Sequence, residues 1–170
     1  MIIIGIDPGT SIIGYSIIEK DKSKLTLIDY GCITTKAKIQ DTEKLIEIYT
    51  DLGKIIEKFK PEKAGIEKIF FNKNVKTAID VAQARGVILL KLRENNIEIE
   101  QFTPAEIKIS VTSYGQADKK MVQESIKKFF KLKHIPKPDD AADAIAAGIC
   151  AANTLKTKWE KYFLQLHGQL

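Results

Sequence analysis

The sequence predicts a single α/β domain built on a five-stranded mixed sheet, three antiparallel strands extended by two parallel ones and flanked by helices. Three observations predict it. Residues 2–6 (Ile-Ile-Ile-Gly-Ile) form a continuous apolar, mostly β-branched run, as in a strand buried on both faces. Up to Thr34, short apolar runs are separated by tight polar turns, the pattern of an antiparallel meander. From Leu45 the apolar period becomes helical, and strand-length and helix-length segments then alternate. At 170 residues the chain fits one domain, which buries roughly 70% of its unfolded surface and so folds without a disulfide or structural metal.

Element by element, the first strand ends at the turn Asp7-Pro8-Gly9-Thr10-Ser11, and Gly14 to Ile18 is the second. Lys20 to Ser23 is a polar turn, and Leu25 to Thr34 is the third strand. Leu45, Ile48, Tyr49, Leu52, Ile55, Ile56 and Phe59 recur at helical spacing until Pro61 closes that helix. Ala64-Gly65-Ile66-Glu67 is a short strand ending in a carboxylate, residues 75–94 are helical, and Ile97 to Phe102 is the fifth strand. Thr103-Pro104-Ala105-Glu106 has the form of a capping box with proline in the first turn. A Lys-rich helix follows over about 118–131, and Asp139 or Asp140 opens a small-residue helix running from Ala141 to Leu155. The domain-sized unit is thus residues 1–155. Residues 156–170, with Trp159, Tyr162, Phe163, Leu164 and Leu166, read as an extension packed on it, or as a partner-docking tail.

Bulk properties narrow the function classes. The net charge is 27 − 22 = +5, and between Asp118 and Lys137 seven lysines face only two acidic residues, an invitation to a polyanion. Cys32 and Cys150 are far apart, with no metal-binding spacing, and read as reduced, buried residues of a cytoplasmic protein. The apolar N-terminal run is too short for a signal peptide, and no segment is long and apolar enough to span a membrane.

The chemistry sits in four carboxylates. Asp7 and Glu67 each end a strand, and if those strands are neighbours both project from one sheet edge. Asp140 and Asp143 are three apart at a helix start, hence on one face. The alanines and glycine around them keep that helix slim enough to lie against the sheet. Four converging carboxylates raise one another's pKa unless a cation is shared, and Mg²⁺ takes hard oxygen ligands of this kind. Two such ions about 4 Å apart can activate a water and stabilise the leaving oxygen in phosphodiester cleavage. Each residue alone has a plainer reading. Asp7 is a turn residue, Glu67 a surface residue, and Asp140 a helix cap with Asp139 beside it as a competitor.

Six collinear blocks covering roughly residues 1–152 carry a resemblance: GIDPGTSIIGYSII (5–18), AGIEKIFFNKN (64–74), AQARG (82–86), TPAEIKISVT (103–112), ADKKMVQ (117–123) and DAADAIA (140–146). Together they resemble the RuvC family of Holliday-junction resolvases, crossover junction endodeoxyribonucleases. The resemblance implies an RNase H-like fold and a homodimer that makes paired symmetric nicks in four-way junction DNA during recombination and repair. It implies Mg²⁺ as cofactor, two ions per site, with Mn²⁺ as a substitute, and the branch-migration complex RuvAB as a partner. The family's acidic metal-binding positions fall on Asp7, Glu67, Asp140 and Asp143, and its supporting lysines on Lys108 and Lys119. Its junction-stacking aromatic falls on Phe70. Strand alternation alone leaves Phe70 and Phe71 open as the outward one, so that assignment rests on the family.

From the residues themselves, an exposed aromatic flanked by Asn72, Lys73 and Lys76 makes a stacking platform with phosphate contacts, and Lys119 and Lys120 extend the basic surface. The small residues of AQARG suit a helix–helix dimer seam, although Ile79 and Leu89 are equally explained by packing on their own sheet. One departure stands out: Val111-Thr112-Ser113-Tyr114-Gly115 has Ser113 where the family commonly has glycine, which restricts the backbone if that position needs positive φ. Competing readings are an RNase H-like nuclease acting on structured RNA and a non-catalytic junction-binding protein. GIDPGT also resembles the start of actin-like ATPases and sugar kinases, but these need a second lobe for which the chain has no room.

Overall fold

Strand β1 (Ile2–Asp7) takes the centre of the sheet because its side chains are buried on both faces: Ile3 enters one apolar cluster, Ile4 and Ile6 the other. The computed structural model describes residues 1–68 and 75–154, the side chains of residues 75–77 excepted. The remaining elements in chain order are β2 (Ile12–Asp21), β3 (Lys24–Thr34), α1 (Asp41–Phe59), β4 (Lys63–Glu67), α2 (Val75–Glu94), β5 (Glu98–Phe102), α3 (Pro104–Thr112), α4 (Lys119–Phe129) and α5 (Asp139–Asn153). The sheet order is β3-β2-β1-β4-β5. Strands β1 to β3 are antiparallel, and β4 and β5 extend them in parallel. This is the mixed sheet expected from the sequence.

The two faces of the sheet are covered differently. Ala84, Ile88 and Leu92 of α2 and Ile48, Leu52 and Ile56 of α1 pack on Ile4, Ile6, Ile13, Ile17 and Ile66. On the opposite face α5 lies directly on the strands, with α3 and α4 outside it. Eleven of its residues are buried, nearly all of them alanine, glycine or isoleucine.

Several boundaries differ from the expected ones for physical reasons. Strand β2 begins at Ile12 and runs to Asp21, because β3 pairs with it over its whole length. Helix α4 is trimmed to Lys119–Phe129, since the chain reverses at Lys131 in the left-handed region (φ 53°). Helix α5 starts at Asp139, behind Pro138 as N-cap, and ends at Asn153. The capping reading for Asp139 and Asp140 is therefore corrected: the cap makes no side-chain hydrogen bond, so both carboxylates are available elsewhere. Cys150 is buried as expected, but Cys32 is only half-buried on β3. The capping box of α3 forms as the sequence indicated, Thr103 Oγ1 accepting from Glu106 N–H at 3.2 Å and Glu106 accepting from Thr103 N–H at 2.7 Å. The expected extension over 156–170 lies outside the described residues.

Candidate active site

Asp7 and Glu67 meet because β1 and β4 run parallel in register, Ile6 opposite Ile66, so the next residue of each strand stands at the same sheet edge. Strand alternation sends both to the α5 side, as it does Gly5 and Gly65. The end of β4 is secured from outside. Lys68 N–H donates to Phe102 O at 2.7 Å, and Arg85 of α2 donates from Nε to Glu67 O at 3.4 Å while its guanidinium also bonds Gln101.

Helix α5 brings the other two carboxylates to this edge, and glycines let it do so. A Cβ at Gly14 would fall on the carbonyl of Asp140, one at Gly5 on Ala144 O, and one at Gly65 on Ala147 O. The helix backbone thus rests on strand backbone, closer than any side chain allows. The buried Ser16 Oγ donates to Ala144 O at 2.9 Å and fixes the height of α5 above β2. Because Gly14 is the partner of Asp7 across β1 and β2, the first turn of α5 is set down beside Asp7.

The electrostatics follow from that crowding. Asp7 is pushed up to about 7, first by burial and then by the charges of Asp143, Glu67 and Asp140. Burial and the charge of Asp143 likewise raise Glu67, against the opposing pull of Lys108. Asp143 is raised by burial, although Lys119 opposes the shift. Lys119 Nζ lies 3.2 Å from Asp143 and 3.3 Å from Asp139. Desolvation lowers the Lys119 ammonium, but its two carboxylate partners outweigh that and leave it raised. The two lysines and two of the carboxylates line a cleft of about 210 Å³ together with Pro104, Ile107, Val122 and Ala146. A larger groove of about 790 Å³ between α1 and the C-terminal half of α2 holds none of these groups.

The donor set fits a hard divalent cation. Its ligating atoms are carboxylate oxygens, and the mutual repulsion that adds to burial in raising Asp7 is what a cation would relieve. Among the described residues no three acidic, imidazole or thiol groups stand at the spacing that ligates one ion.

Of the residues read from the sequence, Asp7, Glu67, Asp140, Asp143, Lys108 and Lys119 come together, and Lys120 is exposed beside Lys119. Phe70, Asn72 and Lys73 lie outside the described residues, as does the side chain of Lys76. Ile79 is exposed on α2, whereas Leu89 packs on the sheet-side cluster. Sequence reasoning missed three contributions: Arg85, the glycine floor under α5, and Asp139 as a partner of Lys119. The AQARG block and the recurrence of glycine in strands of buried β-branched residues are the signals that bear on the first two.

Comparison with known proteins decides the family. The sequence model of the crossover junction endodeoxyribonuclease RuvC family matches residues 3–151. The chain belongs to the RuvC family. It is 50% identical to the crossover junction endodeoxyribonuclease RuvC of Fusobacterium nucleatum over 158 residues, 93% of this chain and 83% of that one. It is 48% identical to the RuvC of Halothermothrix orenii, with 94% and 98% covered. The solved structure of Thermus thermophilus RuvC superposes with a TM-score of 0.80 at 25% identity, covering 88% of this chain and 92% of that one. The RuvC-type, RNase H-like arrangement expected from the resemblance is therefore the fold of this chain.

Proposed function

We propose that this protein is a divalent-metal-dependent endonuclease that resolves four-way DNA junctions by paired symmetric nicks. The observation that carries the reading is the convergence of four carboxylates on one sheet edge, beside two lysines, in a chain of this family. Asp7, Glu67, Asp140 and Asp143 would hold the metal. When bound there, a pair of Mg²⁺ ions, or Mn²⁺ in their place, supplies an activated water and charge stabilisation for the leaving oxygen.

The chain's own groups do the rest. Asp7, central and raised, gives up its proton when the cluster is neutralised. Lys108 and Lys119, at the mouth of the cleft, hold the scissile phosphate and balance its charge. Lys120 and the lysines further along α4 bind neighbouring phosphates, a contact that weakens with salt. Phe70, with Asn72, Lys73 and Lys76, is assigned the junction-contacting platform. Residues 1–155 make up the nuclease domain and work as a homodimer in the cytoplasm with the RuvAB complex.

The test is incubation with a synthetic four-way junction, a linear duplex and an RNA hairpin, with Mg²⁺ or EDTA. Paired nicks in the junction alone, lost in EDTA and in Asp7→Asn while that variant still binds the junction, are expected. Cleavage of the hairpin in preference would mean a structured-RNA nuclease, and binding without cutting a junction-binding protein. Undiminished nicking by Asp7→Asn would overturn the mechanism.

A further inference from the structure

We infer that Asp139 is the positioning residue for Lys119, holding its ammonium at the mouth of the cleft through a contact that draws on none of the four proposed metal ligands. The inference rests on the reading of Lys119 as a phosphate-facing cation.

The geometry is a two-by-two arrangement where α4 meets α5. Lys119 and Gln123 are one turn apart on α4, and Asp139 and Asp143 are one turn apart on α5. Lys119 Nζ reaches Oδ2 of both aspartates, at 3.3 Å and 3.2 Å. Gln123 Nε2 donates to the other oxygen of Asp139 at 3.1 Å. Both oxygens of Asp139 are thus engaged by α4, and neither caps its own helix.

The two aspartates are not equivalent. Asp143 acts on Asp7 and Glu67 and is 34% exposed, whereas the charges that raise Asp7 are Asp143, Glu67 and Asp140. Asp139, at 57% exposure, stands on the solvent side, facing α4. A divalent cation among the carboxylates competes with Lys119 for Asp143. A lysine with a four-carbon stem and no fixed partner spreads over many rotamers. Asp139 removes that freedom, because its own carboxylate is pinned by Gln123.

The test combines three readouts on Asp139→Ala, with Asp139→Glu as the conservative rescue. In metal-free protein, amine acetylation of Lys119 followed by peptide mass spectrometry should quicken in Asp139→Ala and return towards wild type in Asp139→Glu. With Mg²⁺ and a four-way junction, kcat should fall about three- to fivefold, the scale of an exposed ion pair, while KM stays within about twofold. In the double variant with Lys119→Ala the loss should equal that of Lys119→Ala alone, since both changes then remove one device. Additive losses, or unchanged acetylation of Lys119, would overturn the inference. So would a weakened Mg²⁺ midpoint in Asp139→Ala that persists when Lys119→Ala is added, which would make Asp139 a ligand instead. If the wild-type protein does not cut junctions, the acetylation arm still decides the positioning claim, so the two failures remain distinguishable.

Discussion

Single residues here carry opposed demands of stability and chemistry. Asp7 has its pKa raised from 3.8 to about 7 in the folded chain. A carboxyl raised on folding retains its proton where the unfolded chain has lost it, so its contribution is favourable below the unfolded value. That contribution drains away as pH rises towards the folded value. Metal-free wild-type protein should therefore lose stability relative to Asp7→Asn between about pH 4 and 7, by an amount of order 4 kcal/mol at most. Parallel urea titrations of the two proteins check this: the gap should widen with pH and close on adding Mg²⁺. A gap independent of pH would contradict the raised carboxyl. Ser113 presents a second conflict, a non-glycine residue ending α3 at φ 61°. Its N–H still donates to Ile109 O at 2.8 Å, so the left-handed turn is required by the helix end. Ser113→Gly should raise stability by about 0.5–1 kcal/mol, seen as about 1–4 °C in calorimetry, without disturbing the loop's hydrogen bonds.

At the scale of elements, the site depends on how closely α5 lies on the sheet. Gly14→Ala places a methyl on the Asp140 carbonyl, which helix backbone cannot yield without moving the first turn of α5. It should cost about 1–3 kcal/mol by denaturation. Junction cleavage, normalised to folded protein, should fall further than that, because the displaced turn carries Asp140 and Asp143. Retained cleavage in a stably folded Gly14→Ala would separate helix placement from catalysis. This contact also marks where sequence reading stops. Strand β1 was legible from Ile2 to Ile6 because burial on both faces leaves an unbroken apolar run, and α3 because Thr103 and Glu106 form a local box. Asp7 and Glu67 were legible because strand ends mark an edge. The seat of α5 was not, since Gly5, Gly14 and Gly65 acquire meaning only once three strands lie side by side. Nor was the Lys119–Asp139 pair, which depends on the crossing of two helices joined by a turn of Pro136 and Pro138.

For the whole molecule, the paired nicks proposed above need two active sites held at a fixed separation, and the described residues of one chain form one such carboxylate-lined cleft. Helix α2 carries the face on which the proposed second copy would sit. Ala84, Ile88 and Leu92 are buried towards the sheet, and on the opposite side Ile79 and Leu90 are 53% and 56% exposed. Between them lie exposed Ala82, Gln83 and Gly86, and a Cβ at Gly86 would meet nothing. Residues 79, 82, 83, 86 and 90 follow helical spacing, so Ile79, Ala82, Gly86 and Leu90 form a shallow strip of apolar and small residues interrupted by the polar Gln83. Arg85 of the same helix secures the end of β4, so the helix that would carry the proposed seam also supports Glu67. Leu90→Arg puts a cation on each side of the proposed seam at a position 56% exposed and outside both apolar clusters. Sedimentation should show a shift from dimer to monomer, with the midpoint of urea unfolding at low protein concentration unchanged. On a four-way junction the monomer should nick strands singly and without symmetry, because like-charged copies no longer present two clefts at once. Paired nicking by a variant shown to be monomeric would mean that the second cut needs no partner subunit.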